Sequence, residues 1–274
     1  MADFLVKYKI MFNSRDFSGK VVLITGSSGG IGATTAVEFA RNGAQVVITG
    51  RNADKLSDVA KDCLKISPKG LKPLEVVGDV SKDDDCKRLI DTTIKTYGKL
   101  DVLVNNAGFG KGSVITDSAL MDKYKDIMDT NLRSVVYLTH LSVEHLKKTK
   151  GNIINMSSIA GLKPFSGFSV YCMSKCALDM FTKCLALELG PKGIRVNAIN
   201  PGHVKTQFLK VVGYSKSQSD ARYEELASKY PLSRVGESID IANAVLFLAS
   251  DEASFVTGIN FSSDGGARRR NIIN

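Results

Sequence analysis

Short apolar runs rich in Val and Ile recur along this chain, and between them apolar residues return every three or four positions. Runs of the first kind predict buried strands and stretches of the second kind predict amphipathic helices. In order, the chain predicts a strand at VVLIT (21–25), a helix to about residue 42, a strand at VVIT (46–49), a second helix, a strand in LEVVGD, a helix from about Lys82, and a strand in DVLVNNAG. The second half predicts a long helical region between about 117 and 149, the strand NIINMSS, a helix from about Phe168 to Leu189, and the strand IRVNAIN. It closes with a helix in IANAVLFLAS and a strand in GINF. Strands alternating with helices imply right-handed crossovers and a parallel sheet covered on both faces, hence an α/β chain. Only residues 203–236 break the rhythm, mixing Gly, Ser and Lys with a helical piece around ARYEELASKY. A long insertion of that kind in a compact domain is expected to act as a lid over a site.

Length and composition narrow the picture. At 274 residues and 43% hydrophobic content, the chain suits one large α/β domain. Its longest apolar runs, such as VLFLA near residue 247, are too short to span a bilayer, and MADFLVKYKIMFNSRD lacks the apolar stretch of a signal peptide. A soluble, cytoplasmic protein is therefore expected. The five cysteines (63, 86, 172, 176 and 184) have neither CxxC spacing nor a His-rich context, so neither disulfides nor a metal site are expected. Cys172 and Cys176, which flank the Tyr/Lys pair on the same helix, are read as small core residues, with redox sensing as the alternative. The net charge of +9 suits an anionic ligand, but the lysines are scattered and no nucleic-acid motif is present. The one tight basic cluster, Arg268 to Arg270, reads as a solvated tail.

The chemistry concentrates in three places. In YCMSK, Tyr171 and Lys175 stand four residues apart, one above the other on a helix face. A free phenol has a pKa of about 10 and is a poor acid or base at neutral pH. A nearby ammonium favours the phenolate and brings the group toward useful proton transfer with an alcohol. Ser158, ending the NIINMSS strand, is placed to hydrogen-bond the same substrate oxygen. TGSSGGIG (Thr25 to Gly32) lies between the first strand and the first helix, where Gly26, Gly30 and Gly32 allow a tight turn and a close approach to a pyrophosphate. The helix N-terminus beyond it supplies unpaired N–H groups.

The spacing Gly-x-x-x-Gly-x-Gly resembles that of the short-chain dehydrogenase/reductase family. The resemblance runs from about Gly19 to Gly266 and includes Asp79 ending the third strand, NNAG (Asn105 to Gly108) ending the fourth, Asn131 in DTN, Ser158, YxxxK, and PGHVKT (Pro201 to Thr206). It implies a single-domain Rossmann-type three-layer sandwich with a doubly wound, mostly parallel seven-stranded sheet. The expected domain is 19–266, with an N-terminal extension at 1–18 and a basic tail at 267–274. The implied activity is interconversion of a carbonyl and a secondary alcohol with a nicotinamide cofactor. The rival readings are a 3-oxoacyl-thioester reductase, a steroid or isoprenoid alcohol dehydrogenase and, from another class, a non-catalytic dinucleotide sensor. Tyr171 would be the general acid/base, Lys175 would lower its pKa and hold the nicotinamide ribose, and Ser158 would bind the substrate oxygen. Asn131 would anchor a water in a proton relay. Gly26, Ser28, Gly30, Ile31 and Gly32 would cradle the cofactor, and Asp79 and Val80 would meet the adenine. Asn106, Ala107 and Gly108 would lie on the adenosine side, and Pro201, Gly202, Val204 and Thr206 at the nicotinamide end. Asn105 is expected to tie neighbouring strands together through its amide.

Phe165, Phe168, Phe208 and Tyr214 fall in segments that this fold brings near a substrate, with His203 beside them, which hints at an apolar ligand. The resemblance also implies a homotetramer or homodimer packed partly through the Tyr171 helix, whose run CMSKCALDMFTKCLALEL is apolar on more than one face. NAD selection usually places Asp or Glu at the end of the second strand, where a carboxylate repels a 2′-phosphate. Here VVITGRN has Gly50 at that place and Arg51 after it, so NADP(H) is favoured over NAD(H).

Overall fold

The computed structural model describes residues 15–269. Most of the expected N-terminal extension, Arg270 and the end of the basic tail lie outside the described residues. Strand and helix alternate through β1 (Val21–Thr25), α1 (Gly30–Arg41), β2 (Gln45–Gly50), α2 (Ala53–Ile66), β3 (Leu74–Val77), α3 (Asp83–Tyr97) and β4 (Val102–Asn105). The second half contains α4 (Leu120–Met128), α5 (Ser134–Thr149), β5 (Asn152–Met156), α6 (Ser169–Leu189) and β6 (Arg195–Pro201). It continues with β7 (Val204–Lys205), α7 (Phe208–Val211), α8 (Lys216–Lys229), β8 (Gly236–Glu237), α9 (Ser238–Ala249) and β9 (Asn260–Ser263). Seven strands form one sheet in the order β3-β2-β1-β4-β5-β6-β9, and every neighbouring pair is parallel. Strand order reverses between β1 and β4, and in open α/β sheets the crevice beyond the strand ends at that reversal is where ligands bind.

Alternation along each strand builds two cores. Val22, Ile24, Val46 and Ile48 face one side with Phe39 of α1, Leu56 of α2 and Val245 of α9. Val21, Leu23 and Val47 face the other, with Leu89 of α3, Leu138 of α5 and Leu185 of α6. Period-two strands place successive residues on opposite faces, so a sheet covered twice needs the unbroken apolar runs seen in the sequence. Asn105 sits in the middle of this sheet, donates to Asn155 Oδ1 at 3.0 Å, and so ties β4 to β5 as expected. Within the expected extension, Phe17 is buried and meets the Phe39 ring edge-on, with centroids 4.8 Å apart.

Three expectations need correction or refinement. The helical region at 117–149 is three consecutive pieces, because a wide π-type turn over Asp129–Arg133 separates α4 from α5. Such turns insert one extra residue and occur often at functional sites. Residues 203–236 are more regular than their composition implies. Ser215 and Gln218 form a reciprocal cap that starts α8, β7 pairs with β8, and Leu209, Tyr223, Leu226, Tyr230 and Val235 form a small separate core. Finally, Cys172 is only half-buried and Cys176 is exposed, as is Cys184. On α6 the inward positions are Val170, Ser174, Leu178, Thr182 and Leu185, and Cys176 and Cys184 fall on the opposite stripe. Among the described residues, no helix is long and apolar enough to cross a membrane.

Candidate functional site

The glycine-rich turn shows why glycine is needed at three of its positions. Gly26 and Gly30 have φ of 63° and 56°, in the left-handed region open to glycine. A Cβ on Gly26 would lie 2.8 Å from Ala107 Cα, and one on Gly32 would lie 2.5 Å from both the Gly26 carbonyl oxygen and Asn106 Nδ2. The turn is held from β4. Thr25 Oγ1 accepts from the N–H groups of Asn106 and Ala107, at 3.0 and 2.9 Å, while the Asn106 amide donates to the Thr25 and Gly26 carbonyls. Asn106 therefore acts on the turn through its side chain. Ser27 adds a second tie by accepting from Thr49 N at 2.9 Å. Gly30 packs under Thr206, whose side chain would be 3.4 Å from a Cβ there, so PGHVKT reaches back over the start of α1.

The cleft runs on to the ends of β2 and β3. Gly50 closes β2 against Ser28, whose Oγ would lie 2.9 Å from a Cβ at position 50. Arg51 is exposed, and no described residue forms a hydrogen bond or ion pair with it. Asp79 accepts from both the backbone N–H and the hydroxyl of Ser81 through Oδ1, and Val80 after it is half-buried against the second core. A cradle with no room for side chains at Gly26 and Gly32, opening onto a helix N-terminus, fits the pyrophosphate of a dinucleotide.

Four polar residues meet at the ends of β4 and β5. Tyr171 and Lys175 lie on the first turns of α6, with Lys175 Nζ 5.7 Å from the Tyr171 ring centroid and donating to the Met156 carbonyl at 2.7 Å. Ser158 follows β5, and its hydroxyl accepts from Ala160 N at 3.1 Å and lies close enough to the Tyr171 phenol to favour its ionised form. Asn131, carried by the π-type turn, accepts from Phe109 N at 3.0 Å and donates to the Phe109 carbonyl and to Ser174 Oγ. Lys175 Nζ and Asn131 Oδ1 converge on Gly108, 3.4 and 3.2 Å from where its Cβ would be. The Asn131 amide thus fixes the β4 loop beside the lysine.

Electrostatics here differ from the simple expectation that Lys175 draws the phenol down. Burial dominates, pushing the Tyr171 phenol up to about 12 against the opposing hydrogen bond from Ser158. Burial likewise pulls Lys175 down to about 8, with Asp179 opposing the shift. At neutral pH the chain by itself therefore holds a protonated phenol beside an ammonium.

The expected substrate side gathers Phe208, whose ring is 5.8 Å from Tyr171, and Phe165, which meets His203 edge-on at 6.3 Å. His203 Nδ1 is hydrogen-bonded to Tyr230 Oη at 2.8 Å, and burial lowers its pKa to about 4, so the ring is neutral. Tyr214 is largely exposed, and Phe168 caps the start of α6. Gly202 packs against Asp264 and Tyr230, and the Val204 and Thr206 carbonyls accept from Tyr223 Oη.

Sequence reasoning passed over Thr25, Ser27, Asp179 and Asn200. Asp179 stands out only as a lone acid in the apolar run CALDMF, four residues after Lys175, and Asn200 as a polar residue at the end of a buried strand.

Comparison with known proteins agrees with this geometry. A family model described as enoyl-(acyl carrier protein) reductase matches residues 26–268. Glucose 1-dehydrogenase of Gluconobacter oxydans (strain 621H) is 39% identical over 252 residues, covering 91% of this chain and 92% of that protein. L-fucose dehydrogenase of Rattus norvegicus is 35% identical over 251 residues, covering 92% and 90%. The crystal structure of a short-chain dehydrogenase/reductase of unknown function from Caenorhabditis elegans, with cofactor, superposes with a TM-score of 0.86 at 39% identity, covering 92% of this chain and 96% of that one. The chain belongs to the short-chain dehydrogenase/reductase family and is an oxidoreductase of the nicotinamide-dependent carbonyl/alcohol type.

Proposed function

We propose that the chain reduces a carbonyl, or oxidises the matching secondary alcohol, with Tyr171 as general acid/base and NADP(H) as preferred cofactor. The observation that carries this reading is the meeting of Tyr171, Ser158, Lys175 and Asn131 at the ends of β4 and β5, beside the glycine cradle. When bound, the nicotinamide supplies or accepts the hydride, and its oxidised ring carries a positive charge that favours a phenolate. The rest falls to the chain. Ser158 holds the substrate oxygen, Tyr171 gives or takes its proton, and the Lys175 ammonium stabilises the negative charge that develops there. Asn131 positions the β4 loop next to Lys175 and, in this reading, the water of a proton relay. Gly26, Ser28, Gly30, Ile31 and Gly32 receive the pyrophosphate, Asp79 and Val80 the adenine, and Pro201, Gly202, Val204 and Thr206 the nicotinamide.

Arg51 supports the choice of NADP(H), because its guanidinium is exposed after β2, where Gly50 stands in place of a carboxylate that would repel a 2′-phosphate. Residues 19–266 form the catalytic domain in this reading, with 203–236 as its lid. The substrate is a small carbonyl or alcohol compound. Phe165 and Phe208 favour an apolar group on one side, whereas the relatives named for glucose and L-fucose bring sugars into consideration. The assembly proposed is a homodimer or homotetramer in the cytoplasm. The deciding experiment is an oxidation and reduction screen over sugars, steroids, retinoids, isoprenoid alcohols and acyl thioesters with both cofactors. Turnover that requires Tyr171 supports the reading, and cofactor binding without turnover on any class favours a dinucleotide sensor.

A further inference from the structure

We propose that Asp179 is a positioning residue that holds Ser158 in place, an inference that rests on the reading of Ser158 above. Asp179 lies one turn beyond Lys175 on α6 and is only 4% exposed. Asn200, near the end of β6, donates to both carboxylate oxygens, at 3.1 and 2.9 Å, and to the Ser158 carbonyl at 2.9 Å. The Ser157 hydroxyl donates to the Lys175 carbonyl at 3.3 Å and lies close enough to the carboxylate to favour its ionised form. Asp179 is thus bridged to Ser158 by Asn200 of β6, with Ser157, the residue before Ser158, close to the carboxylate.

The turn after Ser158 is pressed onto this same carboxylate. A Cβ on Gly161 would lie 2.5 Å from Asp179 Oδ2 and 2.9 Å from the Lys175 carbonyl carbon and oxygen. That approach fixes the height of the Ser158 turn above α6, and with it the distance from Ser158 to Tyr171. Packing alone does not call for an acid here. A small uncharged side chain would avoid the desolvation cost that raises the pKa of this carboxyl. The charged groups acting on Asp179 are Lys175 and Lys183, both on its own helix, while Ser157, just after β5, and Asn200 of β6 are uncharged. Asp179 also acts on Lys175 by charge, so a route through Lys175 competes with the one through Ser158, and a cycle with Ser158 separates the two.

The test is a double-mutant cycle on the full chain with the substrate found in the screen. It measures kcat, KM and cofactor affinity for Asp179→Ala, Asp179→Asn, Ser158→Ala and the double alanine variant. Asp179→Ala is expected to lower kcat about ten- to a hundredfold, the range for losing a hydrogen bond to a charged group, with cofactor affinity unchanged. Asp179→Asn keeps an acceptor oxygen and recovers most of that loss. In the Ser158→Ala background the Asp179→Ala effect disappears, because a residue acting through Ser158 has nothing left to position. Losses that multiply in the double variant, or Asp179→Ala with kcat close to the parent value, overturn the proposal alone. Ser158→Ala with unimpaired kcat overturns the reading of Ser158 and this proposal together. If Asp179→Ala does not fold, Asn200→Ala removes the same bridge and is judged by the same two outcomes.

Discussion

Tyr171 gives the sharpest test at the residue scale, since Tyr171→Phe keeps the ring beside Phe208 and removes only the hydroxyl. Turnover is expected to fall by about 10²–10⁴, the usual worth of a general acid/base, while cofactor affinity measured by fluorescence titration stays near the parent value. Near-normal kcat in that variant would remove Tyr171 from the mechanism. Lys175 carries a prediction about stability. Its pKa is about 8 in the folded chain against an ordinary 10.5, so the unfolded chain binds more protons between those values and folding stability rises with pH across that window. Below about pH 8 the buried charge costs the fold its full penalty, on the order of 3 kcal/mol at 1.36 kcal/mol per unit. Lys175→Met should therefore be inactive yet melt higher than the parent at pH 7, with the difference shrinking as the pH approaches 10. Melting curves at several pH values check both parts, and a constant difference would mean that the lysine is not titrating as its burial implies.

At the scale of elements, two turns decide what the cleft accepts. Gly32 lies in the first turn of α1, where the chain passes closest to the Gly26 carbonyl and the Asn106 amide, so Gly32→Ala forces the turn apart. Overpacking of this kind typically costs about 1–3 kcal/mol. The variant should show both a lower melting temperature and weaker cofactor binding, whereas Gly29→Ala, with open space around its Cβ, should change packing little. The end of β2 carries the second prediction. Arg51→Ala is expected to lower kcat/KM with NADP(H) about ten- to a hundredfold and to change NAD(H) little, because the lost bonds are to a phosphate only one cofactor has. Adding Gly50→Asp should turn the preference toward NAD(H), provided Ser28 rotates away from the new side chain. Parent kinetics that favour NAD(H) would show that this turn does not select the cofactor.

For the whole molecule, the outward stripe of α6 argues for self-association. Met173, Cys176, Met180, Cys184 and Leu187 are exposed at helical spacing, Leu187 80% exposed, with exposed Lys183 and Glu188 beside them. Such a stripe suits an isologous contact, in which the same patch meets itself. Sedimentation of the parent at micromolar concentration is expected to give a dimer or tetramer, and Met180→Glu to give a smaller species with its fold intact. A monomeric parent would rule out this surface as a permanent interface.

The sequence by itself determined the strand and helix order, the parallel sheet and the glycine turn, because these follow from short-range periodicity and from steric limits on single residues. It also placed Tyr171 above Lys175, since that depends only on helical spacing. Other features needed the third dimension. The π-type turn at Asn131 leaves the apolar period nearly unchanged, so it showed only once Phe109 and Ser174 were seen on either side of the amide. Cys176 reads as core in a helix apolar all round, and only the sheet decides which stripe faces in. The charge states of Tyr171 and Lys175 depend on how much protein surrounds them, which their four-residue spacing does not contain. Asp179, Asn200 and Gly161 are dispersed over some forty residues of chain and become one unit only where β6, α6 and the Ser158 turn pack together, because hydrogen bonds between them act at about 3 Å and not along the chain.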